Sequence, residues 1–71
     1  MRILEKINID INTVRIEIKE NNEIIVVDSF PSKWAFKNNS INQLNELLSA
    51  ANQSQLTDTE KSQLNTWINE E

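Results

Sequence analysis

The chain contains no histidine, no cysteine and no glycine, and these absences remove most of the chemistry open to a small protein. Without histidine there is no side chain whose ordinary pKa lies near neutrality for proton transfer. Without cysteine there is no thiolate nucleophile and no disulfide, and without glycine no backbone that wraps closely around a phosphate. A structural zinc site lacks its usual donors. The hydroxyls, Ser29, Ser32 and Ser40 among them, have no histidine to activate them. These exclusions argue against an enzyme and leave no catalytic residue, no cofactor and no metal to assign. No apolar run approaches the ~20 residues of a membrane span, and Glu5 and Lys6 interrupt the start Met1-Arg2-Ile3-Leu4 in a way unlike a signal peptide. The expected location is cytoplasmic, away from membranes.

What is present is a short, acidic, aliphatic chain. Its 71 residues are expected to form a single α+β domain spanning 1–71, with net charge -4. At this length only about 60% of the unfolded surface is buried on folding, so stability has to come from aliphatic packing, capped helices or a second chain. The negative balance disfavours a nucleic-acid backbone as partner. Asparagine and isoleucine are abundant and, like lysine, are encoded by AT-rich codons. The composition is similar to that of many accessory proteins of phages and mobile elements.

Apolar residues alternate from Ile7 to Ile18 but change parity midway, from Ile7, Ile9 and Ile11 to Val14, Ile16 and Ile18. A hairpin with Asn12-Thr13 as its loop puts all six on one face, although a β-branched residue resists the positive φ that such a turn wants and a longer loop is the alternative. Asn21-Asn22 is a better turn, because asparagine tolerates the left-handed region. A second hairpin then pairs Ile18 with Ile25, Ile16 with Val27, and Arg15 with Asp28, with Glu20 opposite Glu23. The expected fold is a three-stranded antiparallel β-meander, over about 4–11, 14–19 and 24–29, packed against two C-terminal helices.

Ser40-Ile41-Asn42-Gln43 reads as a capping box opening a helix over about 40–52, with Ile41, Leu44, Leu47, Leu48 and Ala51 at helical spacing. Thr57-Asp58-Thr59-Glu60 is a second capping box before Leu64, Trp67 and Ile68, and Asp58 and Glu60 complement the helix dipole. Glu70 and Glu71 oppose it, so the last turn is expected to fray. Between sheet and helices lie Phe30, Pro31 and the alternating stretch Lys33 to Lys37, a candidate for a short fourth strand.

Three surfaces carry the functional argument. The registers align Asp10, Arg15 and Asp28, which reads as a structural ion-pair row, since the arginine would hold both carboxylates charged and repel a metal cation. On that same face Ile24 and Val26 of an edge strand are apolar with nothing of the sheet to cover them, an invitation to another chain unless the Trp34 and Phe36 segment folds over them. Lys33-Trp34-Ala35-Phe36-Lys37 interleaves basic and aromatic residues as single-strand nucleic-acid platforms do. The leading expectation is a non-enzymatic protein-binding module, a small phage or mobile-element accessory that inhibits or adapts a host protein through Ile24, Val26, Trp34 and Phe36. The alternatives are a nucleic-acid-associated protein using Lys33 and Lys37 with the two rings, and a small structural homo-oligomer, a homodimer being the simplest case.

Overall fold

In the computed structural model, which describes residues 1–31 and 35–70, the elements run β1 (Arg2–Asn8), β2 (Val14–Glu20), β3 (Glu23–Phe30), α1 (Asn39–Ala50) and α2 (Asp58–Glu70). The strands form one antiparallel sheet in the order β1-β2-β3, and the two helices cover one of its faces. This is the expected α+β meander. A fourth strand is absent among the described residues: Ala35 to Lys37 form a turn, while Lys33 and Trp34 of the segment proposed for it lie outside them. No helix is long and apolar enough to cross a membrane among the described residues.

Both hairpin registers differ from the sequence expectation, each by an odd number of residues. Asn8 pairs with Val14 and Leu4 with Ile18, so the loop spans the five residues 9–13 rather than two. Asp10 organises it: its carboxylate accepts the N–H groups of Asn12 and Thr13, both at 2.8 Å, and the Ile9 N–H donates to the Thr13 carbonyl at 2.9 Å. A carboxylate that bonds the backbone two and three residues on stabilises a turn without requiring positive φ at Thr13. The slip turns β1 over, because successive side chains alternate between faces. Leu4 becomes core, while Ile9 and Ile11 stand exposed in the loop.

The second hairpin has the expected turn. Asn21 and Asn22 take φ 52° and 70°, a type I′ geometry that leaves Glu20 opposite Glu23. The register then shifts by one at Ile18/Lys19: Lys19 pairs with Ile24, but Ile18 pairs with Val26, leaving Ile25 as a bulge. Val26 and Phe30 therefore join Val14, Ile16 and Ile18 on the helix side, and Val27 passes to the other face. Arg15 meets Ser29, not Asp28.

The helices close the core with Leu44, Leu48 and Leu64, joined by Phe36 and Leu56. Ser40 does not cap α1. The helix starts at Asn39 after an Asn38 that makes no side-chain cap bond, and the buried Ser40 hydroxyl accepts from the Lys37 N–H and donates to the Ala35 carbonyl, both at 3.0 Å. The serine thus ties the helix to the preceding turn. At the other end Asn52 takes φ 58°, with Gln53 N–H donating to the Leu48 carbonyl and Asn52 N–H to the Ser49 carbonyl, the paired bonds of a Schellman motif. Every positive-φ position among the described residues is an asparagine, which is how a chain without glycine makes its left-handed turns.

The second capping box is formed as read. Glu60 N–H donates to the Thr57 hydroxyl at 3.2 Å and Thr57 N–H to the Glu60 carboxylate at 2.9 Å. The same carboxylate receives Arg2 through Nε at 2.9 Å and a terminal nitrogen at 2.6 Å, while that guanidinium also donates to the carbonyls of Ser54 and Gln55. Ten residues on, Glu70 sits 3.8 Å from Lys6. The helical rise from 60 to 70 is about 15 Å and the strand rise from 2 to 6 about 13 Å, so α2 lies along β1 and runs the same way.

Candidate interaction surface

The face of the sheet turned away from the helices carries Ile3, Glu5 and Ile7 from β1, Arg15, Glu17 and Lys19 from β2, and Ile24, Val27 and Ser29 from β3. Its middle row is ionic. Arg15 meets one Glu17 carboxylate oxygen at 3.0 Å, Lys19 lies 3.6 Å from the other, and Lys19 reaches across to Glu5 at 3.3 Å. Two cations and two carboxylates cancel, and Glu17 between its neighbours is almost fully buried. The Arg15 Nε has no hydrogen-bond partner and no solvent access. On either side of this neutral row stand apolar side chains: Ile3 is 51% exposed, Ile24 54% and Val27 48%.

Of the described residues expected to meet a partner, Ile24 alone is exposed as the sequence put it. Val26 is 7% exposed and Phe36 1%, so both belong to the core and are withdrawn from any docking surface in this fold. The bulge at Ile25 is the cause for Val26. For Phe36 it is stacking on Phe30, with ring centroids 5.2 Å apart at 40°. Trp34 and Lys33 lie outside the described residues. Lys37 is exposed at the turn into α1, but the burial of Phe36 removes one of the two rings that a base-stacking platform would have used. Val27, which the alternation paired with Ile16 on the apolar face, and Ile3, which lay outside the expected first strand, take over as exposed apolar positions. The sequence signal for Val27 was the run Ile24-Ile25-Val26-Val27, which is apolar at every position and so keeps an apolar residue outward whichever way a bulge turns it.

The row expected from Asp10, Arg15 and Asp28 does not form. Asp10 serves the β1–β2 loop, and the Asn12 and Thr13 N–H groups lower its pKa from the ordinary carboxylate value. Asp28 lies on the helix side opposite Ile16, where desolvation raises its pKa against a smaller lowering effect of the Ser29 N–H. A broad depression of ≈ 570 Å³ opens where β1 meets α2, lined by Arg2, Glu20, Gln53, Ser54, Thr57, Thr59 and Glu60. Its two strongest groups are committed to each other: the Glu60 carboxylate, by accepting from Arg2, raises the arginine's pKa while its own is lowered. The chemistry on offer is therefore apolar contact and backbone pairing at a sheet that, among the described residues, has one uncovered face and unpaired edges. Comparison with protein-family models, with curated proteins and with solved structures found no match.

Proposed function

We propose that this chain is a non-enzymatic protein-binding module that meets its partner with the bare face of the sheet, at Ile24 and Val27. The observation that carries the reading is the neutral ionic row flanked by half-exposed Ile3, Ile24 and Val27 on a face that no described element covers. Aliphatic side chains set beside mutually satisfied charges lose little on desolvation and gain by contact, which is the composition of an interface centre. The residue inventory supports a role without chemistry of its own, since no histidine or cysteine exists to perform it. Its asparagine- and isoleucine-rich make-up fits an accessory protein of a phage or mobile element, acting by inhibiting or adapting a host protein.

The test is a double variant, Ile24→Thr with Val27→Thr, which keeps β-branching and removes apolar contact. It should stay folded and lose about tenfold or more in affinity for the protein that the wild type retains from host lysate. Unchanged affinity of a folded double variant would show that the partner binds elsewhere.

A further inference from the structure

The charges of the sheet are unevenly satisfied, and the pattern singles out one strand. On β1, Arg2 is bound to Glu60, Glu5 to Lys19 and Lys6 to Glu70. On β2, Arg15 and Lys19 share Glu17, and Glu20 lies 3.7 Å from the amino terminus. On β3 the only charged residues are Glu23 and Asp28, both acidic and both without an ion-pair partner among the described residues. Asp28 is half-buried, in a strand whose outer edge pairs with no other strand among the described residues.

A free edge is a row of unpaired backbone donors and acceptors. On β1 that edge is guarded by the inward-pointing charge of Lys6, a device that discourages pairing. On β3 the guard is the bulge at Ile25, and it lies near one end, leaving Val26 to Phe30 in unbroken register. Along that stretch Val27 points to the bare face and Asp28 to the helix side.

We infer that the outer edge of β3 takes up an extended apolar segment of a partner protein bearing a lysine or arginine that pairs with Asp28. The inference rests on the protein-binding reading and names how that partner is held. An added strand lies about 4.8 Å away, so its alternate side chains reach Val27 on one face and Asp28 on the other. Backbone bonding along Val26–Phe30 supplies the attachment, the Val27 contact adds apolar area, and the cation gives a half-buried carboxylate the ion-pair partner that no described residue supplies. A second copy of this chain fits less well, since β3 brings only carboxylates to the meeting.

The probe is a synthetic peptide of alternating lysine and valine, with an alternating glutamate and valine peptide as control, titrated into the isotope-labelled full chain and followed by amide NMR shifts. The lysine peptide should shift the amides of Ile24 and Val26 to Phe30, and the glutamate peptide should shift none. Asp28→Asn, which is nearly isosteric, should weaken the lysine peptide by roughly five- to tenfold, the scale of one screened ion pair. Absence of binding by the lysine peptide, equal binding of both peptides, an unchanged affinity in Asp28→Asn, or shifts along β1 instead would each overturn the inference. So would β3 shifts that grow with protein concentration alone, because a second copy would then hold the edge. Failure here together with loss of lysate capture in the Ile24 and Val27 double variant would leave docking on the bare face without strand addition.

Discussion

The Glu60 carboxylate accepts from Arg2 and from the Thr57 N–H at once, and both contacts favour its charged form. Its pKa is lowered on folding, so the stability it contributes is present above the ordinary carboxylate range and is lost as pH falls through its folded value. Glu60→Ala removes the cap and leaves Arg2 facing only the carbonyls of Ser54 and Gln55. The expected cost is about 2 kcal/mol, a fall in Tm of roughly 10 °C for a domain of this size, read by thermal unfolding at pH 7. Glu60→Gln keeps an acceptor for Thr57 and loses the charge, so it should fall between the two. Asp28 has the opposite sign. Desolvation raises its pKa, so stability relative to acid is lost as pH rises through the folded value. Asp28→Asn should therefore be the more stable protein in urea unfolding at pH 7, by less than about 1 kcal/mol given its partial exposure. The advantage should close below about pH 3, where the wild-type carboxyl is neutral. An Asp28→Asn protein that is no more stable at neutral pH would mean that the carboxylate carries no burial penalty.

At the scale of elements, the turns show how the chain manages without glycine. Asn21, Asn22 and Asn52 hold positive φ where glycine has no steric cost. Asn22→Gly should raise stability by about 0.5 kcal/mol, and Asn52→Ala should lower it by about 1 kcal/mol, because alanine is strained in the left-handed region and the Schellman bonds depend on it. Urea midpoints at constant slope are the readout. These same elements separate what the sequence made legible from what it did not. The Asn21-Asn22 turn and the Thr57 to Glu60 box are local, each defined within four residues, and both were readable. The β1–β2 register was not, since alternation fixes it only if the loop length is known, and the Asp10 turn added three residues. The bulge at Ile25 was hidden for a related reason: in Ile24-Ile25-Val26-Val27 every position is apolar, so hydrophobic patterning cannot choose which side chain faces in. Ser40 shows a third kind of ambiguity. Its hydroxyl suits a cap, but the backbone of Ala35 and Lys37 in the turn just before the helix takes it instead. The candidate surface inherited these errors, which is why Ile24 stood and Val26 gave way to Val27.

Taken whole, the molecule holds its parts by different means. β2 lies at the centre of the sheet with Val14, Ile16 and Ile18 buried, and α1 adds Leu44 and Leu48. The last helix contributes one fully buried side chain, Leu64, with Trp67 and Ile68 half-buried against the cluster. Its attachment is otherwise polar, Arg2 to Glu60 near one end and Lys6 to Glu70 at the other. The Arg2 pair is shielded on both sides, whereas Glu70 is 59% exposed and its pair with Lys6 is open to screening. An element secured mainly by ion pairs opens at lower free energy than one secured by buried aliphatic area. Native-state hydrogen exchange should therefore show the α2 amides opening below the global unfolding free energy while β2 amides exchange only through it. The gap should widen in Lys6→Met and, modestly, at ~1 M salt, where charges more than about 3 Å apart are screened. Exchange in which α2 and β2 share one opening free energy, insensitive to both changes, would mean that Leu64 and Trp67 alone bind the helix to the sheet as tightly as the strands bind one another.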